Sequence, residues 1–322
     1  MLPRQLRVMA TLLVSVTMSG LGASGCGLAL PPQSANPQQE SGESAAKEDP
    51  FAPMVKIQAE DYAKVRSQFR TKLTRKGPSP QPWSAAKPPA GVSEIEYVSG
   101  ELRLKAWVNR PADGDRKRPA VLFLHGGFAF GAPDDWDVSQ PYRDAGFIVL
   151  TPLLRGENGQ PGAYSFYYNE VDDVLAAAEY LRKQPYVDAD HLYLAGPSAG
   201  GTLVLLAAMA SKHFRAAASF SAMPDQVLFC KHAKGAPRDV PTDITDLKEL
   251  QVRSPLAYAA SLKCPTRIFY GSEEAYLLAT SQMTAKVAKE KGLDVEAVKV
   301  EGDHGTSVPR AIKQSIIFFR KN

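Results

Sequence analysis

The sequence is poor in several features that define particular protein classes. Its 322 residues include three cysteines and five histidines, and its net charge is only +4. Three cysteines cannot supply a disulfide-rich fold, and so small a charge surplus, without a zinc-finger or RNA-binding motif, argues against nucleic acid as a partner. There is no internal repeat, no HExxH motif, no clustered metal-ligand spacing and no nucleotide-binding glycine pattern. We therefore expect neither a metal nor a cofactor.

The first 26 residues have the composition of an export signal. Two arginines precede an apolar run that is shorter than the roughly 20 residues of a membrane-spanning helix. Small residues then lead to Ala23-Ser24-Gly25-Cys26, which resembles a bacterial lipobox, although leucine is more usual than Ala23. We expect a lipoprotein signal peptide over 1–25 and an exported protein of the cell envelope, lipid-anchored at Cys26 to a bacterial membrane. A plain secretory signal, giving a periplasmic or secreted protein, is the alternative.

Three segments separate the signal from the main domain. Residues 26–53, rich in Pro, Gln and Ser, cannot bury a core and are expected to form a flexible tether. Residues 54–77 place apolar side chains three and four apart among many basic ones, which predicts a basic amphipathic helix. That helix either packs on the following domain or lies on anionic lipid beside the anchor. Residues 78–91 are expected to be a Pro-rich linker.

Residues 92–322 alternate between strand and helix patterns. An antiparallel hairpin over 94–98 and 102–108 opens the domain. Further strands are expected over 120–124, 147–150, 192–195, 216–220, 267–270 and 295–300, and helices over 171–182, 199–212, 276–291 and 308–320. This order predicts an α/β fold with a mostly parallel central sheet and helices on both faces. Active sites in such sheets lie beyond the carboxyl ends of the strands.

One of these strands runs directly into Gly196-Pro197-Ser198-Ala199-Gly200, and an apolar helix follows. The G-x-S-x-G pattern between a buried strand and a helix is typical of a sharp turn that exposes a nucleophilic serine. An N-capping serine would explain Ser198 but not the flanking glycines. Ser198 is therefore predicted to be the nucleophile.

A serine nucleophile needs a base, and the base needs a carboxylate to orient it. In this architecture the chain order is serine, acid, histidine. His304 lies in a loop after strand 295–300 and is the predicted base. Glu273 and Glu274, just past strand 267–270, are both candidates for the acid, whereas Asp303 is expected to cap its own loop.

The acyl-transfer step also needs donors for the developing oxyanion. The backbone N–H of Ala199, which follows the nucleophile, is one expected donor. The loop after strand 120–124 reads His125-Gly126-Gly127-Phe128, an HGG element, so Gly127 or Phe128 is expected to supply the other N–H.

Together these residues resemble the α/β-hydrolase superfamily. The closest likeness is to the catalytic domain of prolyl-oligopeptidase-like serine peptidases and to dienelactone-hydrolase-like esterases. It covers residues 92–322 and rests on the HGGF loop, the GPSAGG turn, Arg253-Ser254-Pro255-Leu256, the acid loop and the histidine loop. The family pattern G-x-x-D in the acid loop favours Glu274, with glutamate in the usual place of aspartate. Dienelactone hydrolases use a cysteine nucleophile, whereas this sequence has Ser198.

The resemblance implies a serine hydrolase that acylates Ser198. Small esters are the preferred substrates, because the roughly 65 residues between Cys26 and Gly91 are too few for the propeller, of about 160 residues, that filters peptides in large members. A prolyl-oligopeptidase-family peptidase acting on short peptides is the alternative, and a non-catalytic binding lipoprotein is the alternative of another class. Cys230 and Cys264 are a candidate disulfide, and segment 224–255 is a candidate lid over the site.

Overall fold

The main domain is built around a central eight-stranded sheet. The structure is a computed structural model and describes residues 49–110 and 116–322. The strand order is β1-β2-β4-β3-β5-β6-β7-β8; β1 with β2 and β2 with β4 are antiparallel, and the other neighbours are parallel. The strands are β1 Val92–Ser99, β2 Leu102–Asn109, β3 Arg118–Phe123, β4 Ile148–Pro152, β5 Val187–Pro197, β6 Ala216–Phe220, β7 Thr266–Gly271 and β8 Val295–Val300. The predicted fold class is confirmed.

Helices cover both faces of this sheet. They are α1 Tyr62–Gln68, α2 Asp134–Val138, α3 Gln140–Asp144, α4 Glu170–Arg182, α5 Ala199–Ala210, α6 Gln226–His232, α7 Ala236–Asp239, α8 Leu247–Gln251, α9 Ala275–Lys289 and α10 Val308–Phe319, with a 3₁₀ helix over Pro255–Ser261. Helices α4, α5 and α9 contribute to the core on one face, and α2, α3 and α10 to the core on the other. Strands β4 and β6 are buried along their whole length, as strands covered on both faces must be.

The helix predicted over 54–77 is largely wrong, because α1 comprises only seven residues. Outside α1 the backbone N–H groups of this segment donate hydrogen bonds to the main domain instead of to carbonyls within the segment. Val55 N–H donates to Asp225 Oδ2 (2.8 Å), Gln58 N–H to the Ala257 carbonyl (2.7 Å) and Thr74 N–H to the Pro241 carbonyl (2.8 Å). These tertiary bonds replace the helical ones, so the segment follows the domain surface as an extended strap.

The strap packs on the main domain. Of the two placements expected for this segment, on the domain or on anionic lipid, the structure shows packing on the domain. Tyr62 is completely buried, and Arg66 pairs with Asp172 at 2.7 Å and donates to the Tyr168 carbonyl at 2.8 Å. The predicted linker 78–91 also contacts the domain, since Ser79 N–H donates to the Gly156 carbonyl at 2.9 Å. The expected signal peptide, Cys26 and the tether up to residue 48 lie outside the described residues. Among the residues that are described, no helix has the length and apolar character to cross a membrane.

The candidate disulfide does not form, because Cys230 and Cys264 are both free thiols. Cys264 precedes the amino end of β7, whereas Cys230 lies on α6, whose Gln226 and Phe229 line a pocket at the opposite, carboxyl end of the sheet. The six residues of β7 alone span about 20 Å, well beyond disulfide reach. Burial raises the pKa of each thiol to about 12, so both are expected to be unreactive.

Candidate active site

Ser198 lies at the sharp turn between β5 and α5. Its backbone has φ 53° and ψ −118°, a conformation outside the usual regions for a residue with a side chain. The Ser198 N–H donates to the Phe220 carbonyl of the neighbouring strand (2.7 Å), which helps to hold the strained turn. Gly200 has no room for a side chain, because a Cβ there would lie 2.4 Å from the carbonyl oxygens of Leu124 and His125. The glycine therefore lets the turn close against the loop after β3.

His304 and Glu274 complete a hydrogen-bonded chain with Ser198. The distance from His304 Nε2 to Ser198 Oγ is 3.0 Å, and from His304 Nδ1 to Glu274 Oε1 it is 2.6 Å. All three residues are buried, with exposed fractions of 8% for Ser198, 2% for Glu274 and 5% for His304. The structure thus brings together the predicted nucleophile, base and acid, and it places Glu274 rather than the exposed Glu273 behind the imidazole.

The second oxygen of Glu274 is fixed by two further donors. Glu274 Oε2 accepts from the Gly271 N–H and from the Ser221 hydroxyl, both at 2.6 Å. Burial alone would raise the pKa of this carboxyl, but the hydrogen bonds and charge of His304, with the bonds from Ser221 and Gly271, outweigh burial and hold the pKa below its ordinary value. The acid is therefore an ionised carboxylate at neutral pH, as a triad requires.

Tyr276 contacts both the acid and the base. Its hydroxyl donates to Glu274 Oε1 at 3.1 Å and lies 3.4 Å from His304 Nδ1. Burial and the adjacent Glu274 carboxylate raise the pKa of Tyr276 well above its ordinary value, so this hydroxyl stays protonated and acts as a donor. Asp303, by contrast, accepts from the N–H groups of Gly305 (3.0 Å) and Thr306 (2.7 Å) and caps the histidine loop, as expected.

The loop after β3 lies against the nucleophile turn. An added Cβ on Gly126 would lie 3.9 Å from the Ser198 Cβ, so this loop borders the nucleophile. Ala199 is the first residue of α5, where N–H groups have no partner within the helix and can face an anion. Of the two candidate donors in the loop, the Phe128 N–H is already bonded to Gln81 Oε1 at 2.8 Å. The Gly127 N–H therefore remains as the candidate second donor.

His125, at the start of the same loop, is part of a buried ion pair. Its Nε2 lies 3.1 Å from Glu157 Oε2, and its Nδ1 lies 3.0 Å from the Gly126 carbonyl. Burial lowers the pKa of His125, but the charge and hydrogen bond of Glu157 outweigh burial and raise it to about 9. A protonated imidazole fits a role in fixing the loop and does not fit a second base.

A pocket opens beside the triad. Besides the triad residues Ser198 and His304, its walls are largely apolar or neutral, and they include Tyr167, Thr202, Met223, Gln226, Phe229 and Leu277. Gln226 and Phe229 belong to α6, so part of the predicted lid segment 224–255 does lie at the site. Among the described residues that line this pocket there is no carboxylate. The described lining therefore offers no anionic partner for a cationic group next to Ser198.

The sequence reasoning missed three residues at this site. Tyr276 lies in the predicted acid loop, but the triad pattern assigns no role to a tyrosine there. Ser221 directly follows β6 and has a φ of 48°, a conformation that sequence alone does not reveal. Its position at the carboxyl end of the strand beside the nucleophile strand was the available signal. Gln81 lies in the Pro-rich segment predicted to be a linker, and the sequence around it carries no motif.

Comparison with known proteins agrees with this geometry. The model of the prolyl oligopeptidase family matches residues 135–316, more than half of the chain. A probable dipeptidyl-peptidase 5 from Aspergillus terreus is 28% identical over 135 residues, covering 38% of this chain and 19% of that protein. The uncharacterized peptidase YtmA of Bacillus subtilis is 25% identical over 193 residues, covering 56% of this chain and 72% of the relative.

A solved structure also shares the fold. The acylaminoacyl peptidase of Pyrococcus horikoshii superposes with a TM-score of 0.62 at 23% identity, covering 72% of this chain and 41% of that one. The matched regions thus span only a fraction of the fungal and archaeal proteins, although most of the Bacillus one. At 23% identity the superposition shows a shared fold of the main domain and nothing about its activity.

Proposed function

The chain belongs to the prolyl oligopeptidase family and is a serine hydrolase, and we propose that it is a peptidase that cleaves short peptides through an acyl-enzyme on Ser198. The observation that carries the proposal is the unbroken chain of hydrogen bonds from Ser198 Oγ through His304 to Glu274. The peptidases among the relatives support the choice of an amide substrate. This chain matches only part of each of these relatives, so their own activities are stated of those proteins alone.

The proposed reaction follows from the triad geometry. Ser198 Oγ attacks the substrate carbonyl carbon while its proton moves to His304 Nε2, 3.0 Å away. Glu274 Oε1, at 2.6 Å from Nδ1, stabilises the imidazolium that forms. The negative charge on the substrate oxygen is received by the N–H groups of Ala199 and Gly127. His304 then returns the proton to the leaving amine, and the acyl-enzyme is hydrolysed by a water that His304 activates.

The neutral pocket supports a narrower substrate class. A free amino terminus carries a positive charge that would need a carboxylate partner when buried, and the described lining contains none. We propose that the group bound there is uncharged, as in an N-acylated peptide. The small esters predicted from the sequence are the second candidate, because a neutral acyl group also needs no charged partner in the pocket lining and the same triad acts on esters.

A substrate panel tests this proposal. Hydrolysis is measured for N-acetylated aminoacyl p-nitroanilides, for the matching free-amino p-nitroanilides and for p-nitrophenyl esters. We expect cleavage of the acetylated anilides, weaker cleavage of the free-amino compounds, and loss of all activity in Ser198→Ala. Hydrolysis of esters alone would favour the second candidate. A wild-type protein that cleaves none of them and is not labelled by a fluorophosphonate would refute an acyl-enzyme on Ser198.

We also propose that an acyl chain on Cys26 anchors the enzyme to a membrane. Support for this comes from the Ala23-Ser24-Gly25-Cys26 sequence. Lipidation at Cys26 would hold the enzyme on a membrane without a spanning helix.

A further inference from the structure

The segment expected to be a linker holds the backbone of the oxyanion loop. Gln81 Oε1 accepts from the Phe128 N–H at 2.8 Å, and Gln81 Nε2 lies 3.5 Å from the Ala129 carbonyl. The Ser79 hydroxyl donates to the Phe128 carbonyl, and Ser79 N–H donates to the Gly156 carbonyl at 2.9 Å. Both polar groups of the Phe128 backbone are thus held by residues that precede the main domain in the chain.

The loop is shaped to receive the Gln81 side chain. A Cβ on Gly127 would lie 2.6 Å from Gln81 Oε1, so any larger residue would displace the carboxamide. Gly127 also has a φ of +74°, which disfavours a residue with a side chain. The glycine that offers the candidate oxyanion N–H is therefore also the glycine that admits Gln81.

The Phe128 ring is fixed from the other side. It packs against Tyr164 and Tyr167 with centroid distances of 5.4 and 5.9 Å, and Tyr167 lines the pocket beside Ser198. Gln81 holds the peptide unit that joins Gly127 to Phe128, and Ser79 holds the next unit. The Gly127 N–H belongs to the preceding unit, which shares the Gly127 Cα with the unit that Gln81 holds. Losing the bond to Gln81 would release that Cα, and a shift of the Cα would move the Gly127 N–H.

We propose that Gln81 is a positioning residue of the oxyanion hole, which sets the orientation of the Gly127 N–H by holding Phe128. This role rests on the proposed acyl-enzyme mechanism and assigns a function in it to segment 78–91, which precedes the main domain. Oxyanion donors act only when they point to where charge develops, and a displacement near 1 Å can cost about 100-fold in rate. Gln81 would thus act on the transition state without touching the substrate.

The test compares Gln81→Met with Gln58→Met. Methionine preserves the length of the side chain but cannot accept from the Phe128 N–H. Gln58 is a matched control in the preceding strap, because its side-chain amide donates to the Lys56 carbonyl within the strap at 2.9 Å. For each variant we measure kcat and KM with a p-nitrophenyl ester, the inhibition constant of a trifluoromethyl ketone, which forms an oxyanion on Ser198, and the melting temperature.

We expect Gln81→Met to lower kcat about 10- to 100-fold and to weaken the ketone by a similar factor. KM should change less than threefold, and Gln58→Met should behave as wild type. A purely structural role of Gln81 would lower the melting temperature without the parallel loss of kcat and ketone affinity. If Gln81→Met does not fold, Ser79→Ala removes the bond to the Phe128 carbonyl and should show the same pattern at a smaller size.

The outcomes separate this inference from the proposed function. An unchanged kcat in Gln81→Met, with an active wild type, overturns the positioning role and leaves the acyl-enzyme mechanism standing. A rise in activity also overturns it, since the carboxamide would then block the site. A wild type that neither turns over substrate nor reacts with a fluorophosphonate overturns both.

Discussion

Replacing Glu274 by glutamine should change the tautomer of the neutral His304 ring, moving its proton from Nδ1 to Nε2. Glu274 Oε2 accepts two bonds of 2.6 Å, from the Gly271 N–H and the Ser221 hydroxyl, and only an oxygen can take that place. In Glu274→Gln the amide oxygen therefore stays there, and the NH₂ group faces His304 Nδ1. The NH₂ group donates, so Nδ1 must accept and the ring proton moves to Nε2. A protonated Nε2 cannot take the proton of Ser198.

The expected loss is about 10³- to 10⁴-fold in kcat, the range in which a serine-protease triad responds to the wrong histidine tautomer. This corresponds to about 4 to 5.5 kcal/mol of transition-state stabilisation. KM should change little, because Glu274 lies behind the imidazole and not in the pocket lining. The assay is steady-state hydrolysis of a p-nitrophenyl ester at neutral pH.

Glu273→Gln is the matched control, since Glu273 is the adjacent glutamate and its side chain is exposed. It should retain wild-type kcat and KM. A loss smaller than tenfold in Glu274→Gln, or an equal loss in both variants, would refute the assignment of Glu274 as the acid. A melting temperature close to that of the wild type would show that the loss is not due to unfolding.

Three further predictions follow from the same contacts. Ser221→Ala should lower kcat about 10-fold in the ester assay, because Glu274 loses one of its fixing bonds; a wild-type rate would show that Ser221 does not position the acid. The pKa of Glu274 in the folded protein lies below its ordinary value of 4.5. Ionisation of Glu274 therefore stabilises the folded protein above pH 4.5, and this stabilisation is lost as the pH falls through the pKa of the folded state. The difference in unfolding free energy between the wild type and Glu274→Gln should therefore be constant above about pH 6 and should drift below pH 4.5 in urea titrations; a difference independent of pH would contradict it. Cys26→Ala should abolish incorporation of a labelled fatty acid in bacterial cells and release the enzyme from membranes; label retained in the variant would refute the anchor.

Local patterns were enough to predict the framework of this protein. Alternating strands and helices, the apolar run after Ser198 and the position of His304 after a strand all depend on neighbouring residues in the chain. Their physical basis is short-range, namely side-chain periodicity and the conformational freedom of glycine. The sheet and the residues of the triad could therefore be predicted, with Glu273 and Glu274 left open by the residues alone.

The family pattern favours Glu274, and the tertiary structure supplies the physical reason, because only this carboxylate reaches the Gly271 N–H, Ser221 and His304 together. The failed helix prediction over 54–77 has the same origin. The apolar residues of this segment have helical spacing, but its backbone N–H groups form hydrogen bonds to Asp225, Ala257 and Pro241 in place of helical ones.

Gln81 marks the limit of what the sequence alone determines. A glutamine between prolines carries no periodicity and belongs to no motif, and its partner Phe128 is 47 positions away. Sequence determined which residues could perform acyl transfer, since that chemistry requires particular residue types in a particular order. Only the folded chain placed Gln81 on the Phe128 N–H and left the Gly127 N–H as the candidate oxyanion donor, because hydrogen bonds between distant segments depend on distance in space.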